Sequence, residues 1–212
     1  MKAKSETRGR MVAGAADLIR RRGANATSVR EVVRYTQSPR GSITHHFPGG
    51  KKQLVEEAVR YAGREVSDAL RQQVAQLGLL AGLGAFLKMW RGVLQSTQFE
   101  AGCPVLTVSV EQYAGDDNAP DPVVQERLLD LTHEIFTEWQ QILSSAMQGE
   151  GLPPARARRL ARLVVSSIEG TVALCRASRS IDPLTDVQVE LTDVLGSALG
   201  ASSGNQKERK HR

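Results

Sequence analysis

Apolar residues recur three and four positions apart along most of this chain, in segments cut by Gly- and Pro-bearing breaks, and that period points to amphipathic helices. Over 8–22, Met11, Val12, Ala15, Ala16, Leu18 and Ile19 form one face, and Gly23 follows as a C-cap. Aromatics are only 4% of the residues and β-branched runs suited to strands are few, so an all-α fold is expected. With 212 residues, 41% of them hydrophobic and 24% charged, the chain can build a proper core and is too mixed for wholesale disorder.

Further helices follow from the same pattern. Thr27 or Ser28 is expected to cap a short second helix, with Glu31 placed as in a capping box and Val29, Val32 and Val33 inward. Thr36-Gln37-Ser38-Pro39 reads as a turn whose Pro opens another short helix running to about His46. Long helices are expected from Lys51 into the 72–76 region, over 79–97, from Pro122 to about Met147, over 154–179 and after Asp182-Pro183, with a short one after Pro104. That makes about nine. Gly82 and Gly84 weaken the 79–97 segment by roughly 1 kcal/mol each relative to Ala.

Charge divides the chain. Residues 1–52 hold 12 Lys and Arg against 3 Asp and Glu, a formal +9, which leaves the rest at −4. A basic segment on a mildly acidic body suits contact with a polyanion, since neutralising phosphates releases counterions. Two short helices at a tight turn, inside that basic quarter and behind a supporting helix, meet the requirements for reading a DNA major groove. The second short helix enters the groove, and the first offers its N-terminal amides to phosphate. Cys103 and Cys175 lie far apart and no secretion signal or membrane span is apparent, so a cytosolic protein is expected.

The run from Gly23 to Val33, then Ser38-Pro39-Arg40-Gly41-Ser42-Ile43, then His46-Phe47, Lys51 and Leu54, resembles the DNA-binding domain of TetR-family transcriptional regulators over about residues 8–60. Gly102-Cys103-Pro104-Val105, Val110-Glu111 and Ser167-Ile168-Glu169-Gly170 with Arg176-Ala177 resemble the LmrA/YxaF-type branch. The resemblance implies a three-helix helix-turn-helix domain over 1–50 and a helical effector-binding and dimerisation domain over 51–201; the polar run over 202–212, with Lys207, Arg209 and Lys210, is expected to form a disordered basic tail. It further implies a homodimer joined through its last two long helices, a double-stranded DNA operator as partner, and a small hydrophobic effector whose binding separates the DNA heads. The family commonly has a Tyr where this chain has Thr44, whose shorter side chain can still hydrogen-bond phosphate or touch a thymine methyl.

The expected DNA contacts are Thr27, Ser28, Gln37, Ser38, Pro39, Arg40, Ser42, Thr44, His45 and Lys51. Thr27 and Ser28 serve phosphate or simply cap their helix, and Arg40 reaches guanine bidentately or touches phosphate only. Lys51 enters because it is similar in position to the family's phosphate-clamping Lys. Phe47 is expected in the core. For the effector, Phe86, Trp90, Val105, Val108, Phe136, Trp139 and Val172 are the expected lining, with Gln112, Gln140 and Glu169 as polar anchors, each of them equally explained as ordinary core. Glu169, amid Val164, Val165, Ile168 and Val172, is a charge that needs a partner or a ligand.

No cofactor, metal site or catalytic residue is expected: neighbouring His45 and His46 point about 100° apart on a helix, and no nucleophile, paired-carboxylate or phosphate-loop signature is present. The reading is a dimeric repressor released by a ligand. The alternative is a ligand-independent DNA-binding or chromatin-organising protein.

Overall fold

In a computed structural model the chain is described over residues 2–39, 41, 45–115 and 119–210. Among these residues there are eight α-helices: α1 (Lys2–Arg22), α2 (Val29–Tyr35), α3 (Gly50–Leu77), α4 (Leu79–Ser96), α5 (Pro104–Val110), α6 (Pro122–Gly149), α7 (Pro154–Ser178) and α8 (Asp182–Lys210). The only sheet-like pairing among them is an isolated bridge between Ala114 and Pro120. The all-α expectation holds. The short helix expected over 39–46 would be the ninth; of its residues, Pro39 and Gly41 are described and are not helical, His45 and His46 are helical, and the others lie outside the described residues. The final helix runs on to Lys210, through residues expected to form a disordered tail, where Gln206, Lys207, Glu208, Arg209 and Lys210 all favour helix.

Two compact units emerge. The first comprises 1–65 with 101–135, and the second 66–100 with 136–212. This packing cuts across the boundary expected at residue 50, because α3 is one continuous helix that contributes its first turns to one unit and its last turns to the other.

In the first unit α1 packs on α2 and α5. Met11, Ala15, Ile19, Val32, Phe47, Leu54 and Ala58 are all buried there, so the periodic face of α1 and the opening of α3 share one core. The Arg8 guanidinium stands 5.1 Å from the centre of the Phe47 ring and pairs with Glu57 at 2.6 Å, which covers the aromatic plug with a held cation.

In the second unit α7 and α8 form a helical hairpin: α7 ends at Ser178, Arg179 takes a left-handed conformation (φ 51°), and α8 starts three residues later. Phe86, Leu87, Trp90, Trp139, Leu143, Val164, Ile168, Val172, Leu184 and Leu195 fill its interior. Gly82 has a positional reason that propensity alone does not show. A Cβ there would meet the Gln73 carbonyl oxygen and Val74 Cα at 2.7 Å, so α4 crosses close over the end of α3 only with glycine.

Candidate functional site

Local rules build the α1–α2 corner of the first unit. Gly23 ends α1 at φ 88°, a conformation that favours glycine. The Thr27 hydroxyl donates to the Gly23 carbonyl at 2.7 Å and is buried, and Ser28 is the cap of α2, its Oγ accepting the Glu31 N–H at 3.2 Å. The Glu31 carboxylate pairs with Arg22 at 2.8 Å. After α2, Gln37 adopts φ 50° and is exposed, while Ser38 is buried with its hydroxyl 2.8 Å from that of Thr36. Pro39 and His45 are exposed; Arg40, Ser42 and Thr44 lie outside the described residues. Exposed Arg30 and Arg34 share this surface of α2.

Beneath the corner sits a clasp that local sequence does not announce. The Glu111 carboxylate accepts the backbone N–H groups of Ala24 at 2.7 Å and Asn25 at 3.0 Å. The Asn25 side chain donates to the Gln112 carbonyl at 2.6 Å and accepts the Ala114 N–H at 2.8 Å. Lys51 completes it: its ammonium donates to the carbonyls of Asn25 (3.2 Å) and Ala114 (3.1 Å), 5.6 Å from the centre of the Tyr113 ring. Lys51 is 5% exposed, so the cation expected at phosphate is turned into the protein, whereas Lys52 is exposed. In sequence Gly23 read as a C-cap, Lys51 as a phosphate contact and Val110-Glu111 as part of a family resemblance, and none of them pointed to this arrangement; Glu111 lies 87 residues from Ala24.

A second hydrogen-bonded node ties α1 to α2. The Tyr35 hydroxyl donates to Asp17 at 2.5 Å, and Arg21 donates to the same carboxylate oxygen at 3.0 Å. Partial burial acts to raise the Asp17 carboxyl, but the bonds from Tyr35 and Arg21 and the charges of Arg21 and Arg20 outweigh it and hold the group below its usual range. The Tyr35 hydroxyl is raised, first by its bond to Asp17 and then by burial.

The second unit contains a cavity of about 20 Å³ lined by Val66, Leu70, Phe86, Trp139, Leu143, Val165, Ile168 and Glu169, enough for about one water. Three of the expected effector residues, Phe86, Trp139 and Glu169, therefore come together. Glu169 is buried at 6% exposure, and the Trp139 indole N–H donates to Ser67 at 3.1 Å. Phe136 meets Trp139 edge to face at 5.3 Å, Gln140 is half-buried, and Trp90 and Val172 are buried in the same unit. The Trp90 N–H is buried without an acceptor among the described residues. Val105 and Val108 are core of the first unit, and Gln112 is exposed there, bonded to Asn25 through its carbonyl. A wider groove of about 600 Å³ in the second unit is lined by Arg71, Val74, Leu79, Glu138, Ile142 and Glu150, among others, none of them anticipated from sequence. No group of His, Cys, Asp and Glu able to hold a metal occurs among the described residues, and no described helix is long and apolar enough to cross a membrane.

Known proteins resemble this chain along most of its length. Residues 12–58 match bacterial regulatory proteins of the tetR family, and residues 80–190 match the C-terminal domain of LmrA/YxaF-like transcriptional regulators. An HTH-type transcriptional regulator of Mycobacterium tuberculosis, Rv0196, is 39% identical over 89% of this chain and 93% of its own length. LmrA of Bacillus subtilis is 26% identical over 90% of this chain and 97% of its own. A TetR regulator from Chloroflexus aurantiacus superposes with a TM-score of 0.66 at 27% identity, covering 92% of this chain and 97% of that one. One from Agrobacterium tumefaciens shares the fold, with a TM-score of 0.74 at 19% identity over 90% of this chain and 97% of that one. A basic helix-turn-helix corner, a helical body and two family patterns that together span most of the chain agree: this is a DNA-binding transcriptional regulator of the TetR family, with an LmrA/YxaF-like C-terminal domain.

Proposed function

We propose that this regulator is a repressor that holds its operator as a homodimer and releases it when a small, largely apolar effector enters the second unit. The observation that carries the DNA half is the concentration of charge: +9 over the first 52 residues, with Gln37, Pro39, His45, Arg30, Arg34 and Lys52 on the surface around the turn. Phosphate contacts come from the half-buried α2 cap at Ser28 and from the exposed cations, while Thr27, buried and bonded to the Gly23 carbonyl, holds the turn before α2. Arg40, Ser42 and Thr44, with His45, supply base and backbone contacts from the reading helix. Lys51 supports these contacts from below by fixing the α1–α2 corner, and its part at phosphate passes to Lys52.

The effector half rests on the cavity at Phe86, Trp139 and Glu169, an apolar chamber with aromatic walls and one carboxylate. With room for about one water, it must widen to admit a ligand, and a site that exists only when filled couples binding to shape. Since α3 runs without a break from residue 50 to 77, a change around Val66 and Leu70 has a covalent route to the Lys51 end. The dimer rests on Leu163 and Leu174 of α7 and Val194 of α8, large apolar side chains that are exposed in one protomer. Leu160, Val164, Leu184, Leu191 and Leu195, on the same two helices, are buried within the protomer. The chain acts by binding rather than catalysis, in the compartment that holds the DNA.

The deciding experiment is binding of the full chain to duplexes from its own upstream region at several salt concentrations. The reading expects a preferred sequence over competitor DNA and a steep loss of affinity with salt; equal affinity for all duplexes rejects it.

A further inference from the structure

The α7–α8 hairpin is electrically lopsided. Arg156, Arg158, Arg159 and Arg162 crowd the first turns of α7, all exposed, where the positive end of the helix dipole makes added cations unfavourable. Asp182, Asp186, Glu190 and Asp193 form an exposed row on α8 at i, i+4, i+8 and i+11. None of the eight forms an ion pair among the described residues. Because α7 and α8 run antiparallel, the arginines occupy the open end of the hairpin and the acids begin at its turn. Arg176, Arg179 and Arg91 also lie near the turn, which moderates the acidic end and leaves the open end strongly positive.

Each charged set borders an apolar stripe. On α7, Leu163, Ser167, Gly170 and Leu174 succeed one another at i, i+4, i+7 and i+11, and Arg156 and Arg159 continue the same stripe toward the N-terminus. On α8, Val187, Val194 and Ala198 lie along a second, partly exposed stripe, with Glu190 beside Val187 and Val194 and Asp186 one turn earlier. At 1.5 Å per residue, Arg159 and Arg162 stand about 14 and 10 Å to one side of the midpoint of the α7 stripe, and Asp182 and Asp186 about 14 and 8 Å to the other.

We propose that these charges make the hairpin its own electrostatic complement: in a two-fold pair, Arg159 and Arg162 of one copy face Asp182, Asp186 and Glu190 of the second, fixing the orientation and register of the dimer and selecting identical chains. A two-fold axis perpendicular to the helices exchanges the ends of the hairpin, so each basic end meets an acidic end, twice per dimer. A two-fold axis along the helices would set basic end on basic end, and that arrangement is repelled. The same matching rejects a related chain whose hairpin carries a different charge order. The inference rests on the dimer reading above and adds to it the chemistry that chooses the partner.

The test uses two full-length double variants, Arg159→Glu with Arg162→Glu and Asp186→Lys with Glu190→Lys, each checked for an unchanged helical signal and melting temperature. Sedimentation equilibrium should show each variant self-associating at least tenfold more weakly than the parent. Native mass spectrometry of an equimolar mixture should show heterodimers restored to parental affinity, since every reversed charge then faces its opposite. Parental dimers with undiminished variant dimers, or a mixture that stays unpaired, overturn the charge register while leaving the dimer reading in place. A parent that stays monomeric at micromolar concentration overturns both.

Discussion

The Glu111 carboxylate holds the backbone N–H of Asn25 at 3.0 Å and that of Ala24 at 2.7 Å, so one side chain from the end of α5 serves as the floor of the α1–α2 corner. Two donors that α1 and α2 cannot satisfy themselves are thereby paired, and the corner gains a fixed height. Glu111→Ala should cost about 1–3 kcal/mol, the penalty for leaving such groups unmet, read as a lower urea midpoint with an unchanged slope. Glu111→Gln, which keeps one acceptor oxygen, should recover part of the loss.

Gly23 stands against that carboxylate. Its φ of 88° and the 2.8 Å approach that an added Cβ would make to Glu111 Oε1 are two separate obstacles to a side chain. Gly23→Ala should therefore destabilise by about 1–2 kcal/mol or more. Gly9→Ala, inside α1 with open space around the new methyl, should instead stabilise by about 0.5–1 kcal/mol. Opposite shifts in thermal midpoint check the pair.

Lys51 and Lys52 are neighbours with different surroundings, and their alanine variants should separate accordingly. Lys51→Ala leaves the Asn25 and Ala114 carbonyls without their buried donor, so it should lower stability and keep the salt slope of DNA binding. Lys52→Ala should leave stability unchanged and reduce that slope by about 1. A reduced slope for Lys51→Ala would return that residue to the phosphate.

Tyr35 and Asp17 give the first unit a pH signature. Asp17 is held low in the folded state, so its contribution is present above its unfolded pKa and lost as pH falls through the folded value. Tyr35 is held high, so its contribution is present below its unfolded pKa and lost as pH rises through the folded value. Tyr35→Phe should remove the alkaline loss and raise the Asp17 titration, both measurable by NMR; an unmoved Asp17 titration counts against the bond.

Trp139 reports on the small cavity. Ser67→Ala removes the acceptor of its buried indole N–H and should cost about 1–3 kcal/mol while shifting the tryptophan emission. An effector that enters beside Phe86 and Glu169 should quench that emission in the parent, and Trp139→Phe should abolish the quench; a quench that survives places the effector elsewhere.

Much of this was written in local sequence. The helical period set six of the eight described helices close to their bounds, because an amphipathic stripe is a property of neighbours three and four residues apart; α1 begins six residues before its expected start, and α8 runs on through the expected tail. Ser28 and Glu31 marked the start of α2, and Pro122 marked that of α6, where the Asp121 side chain accepts the Val124 N–H at 3.1 Å. The charge count of the first 52 residues and the motif around the turn identified the DNA-binding class, since polyanion binding is a sum over charges.

Tertiary structure alone decided the rest. Whether Lys51 faces solvent or two carbonyls depends on Asn25 and Ala114, which sequence separates from it by 26 and 63 positions. Phe86, Trp139 and Glu169 become one chamber only when three separate helices pack, and Gly82 is explained only by the backbone it crosses. Period and composition act over a few residues and are legible in order along the chain; hydrogen bonds and close packing between distant segments depend on how the helices meet, which no local pattern encodes.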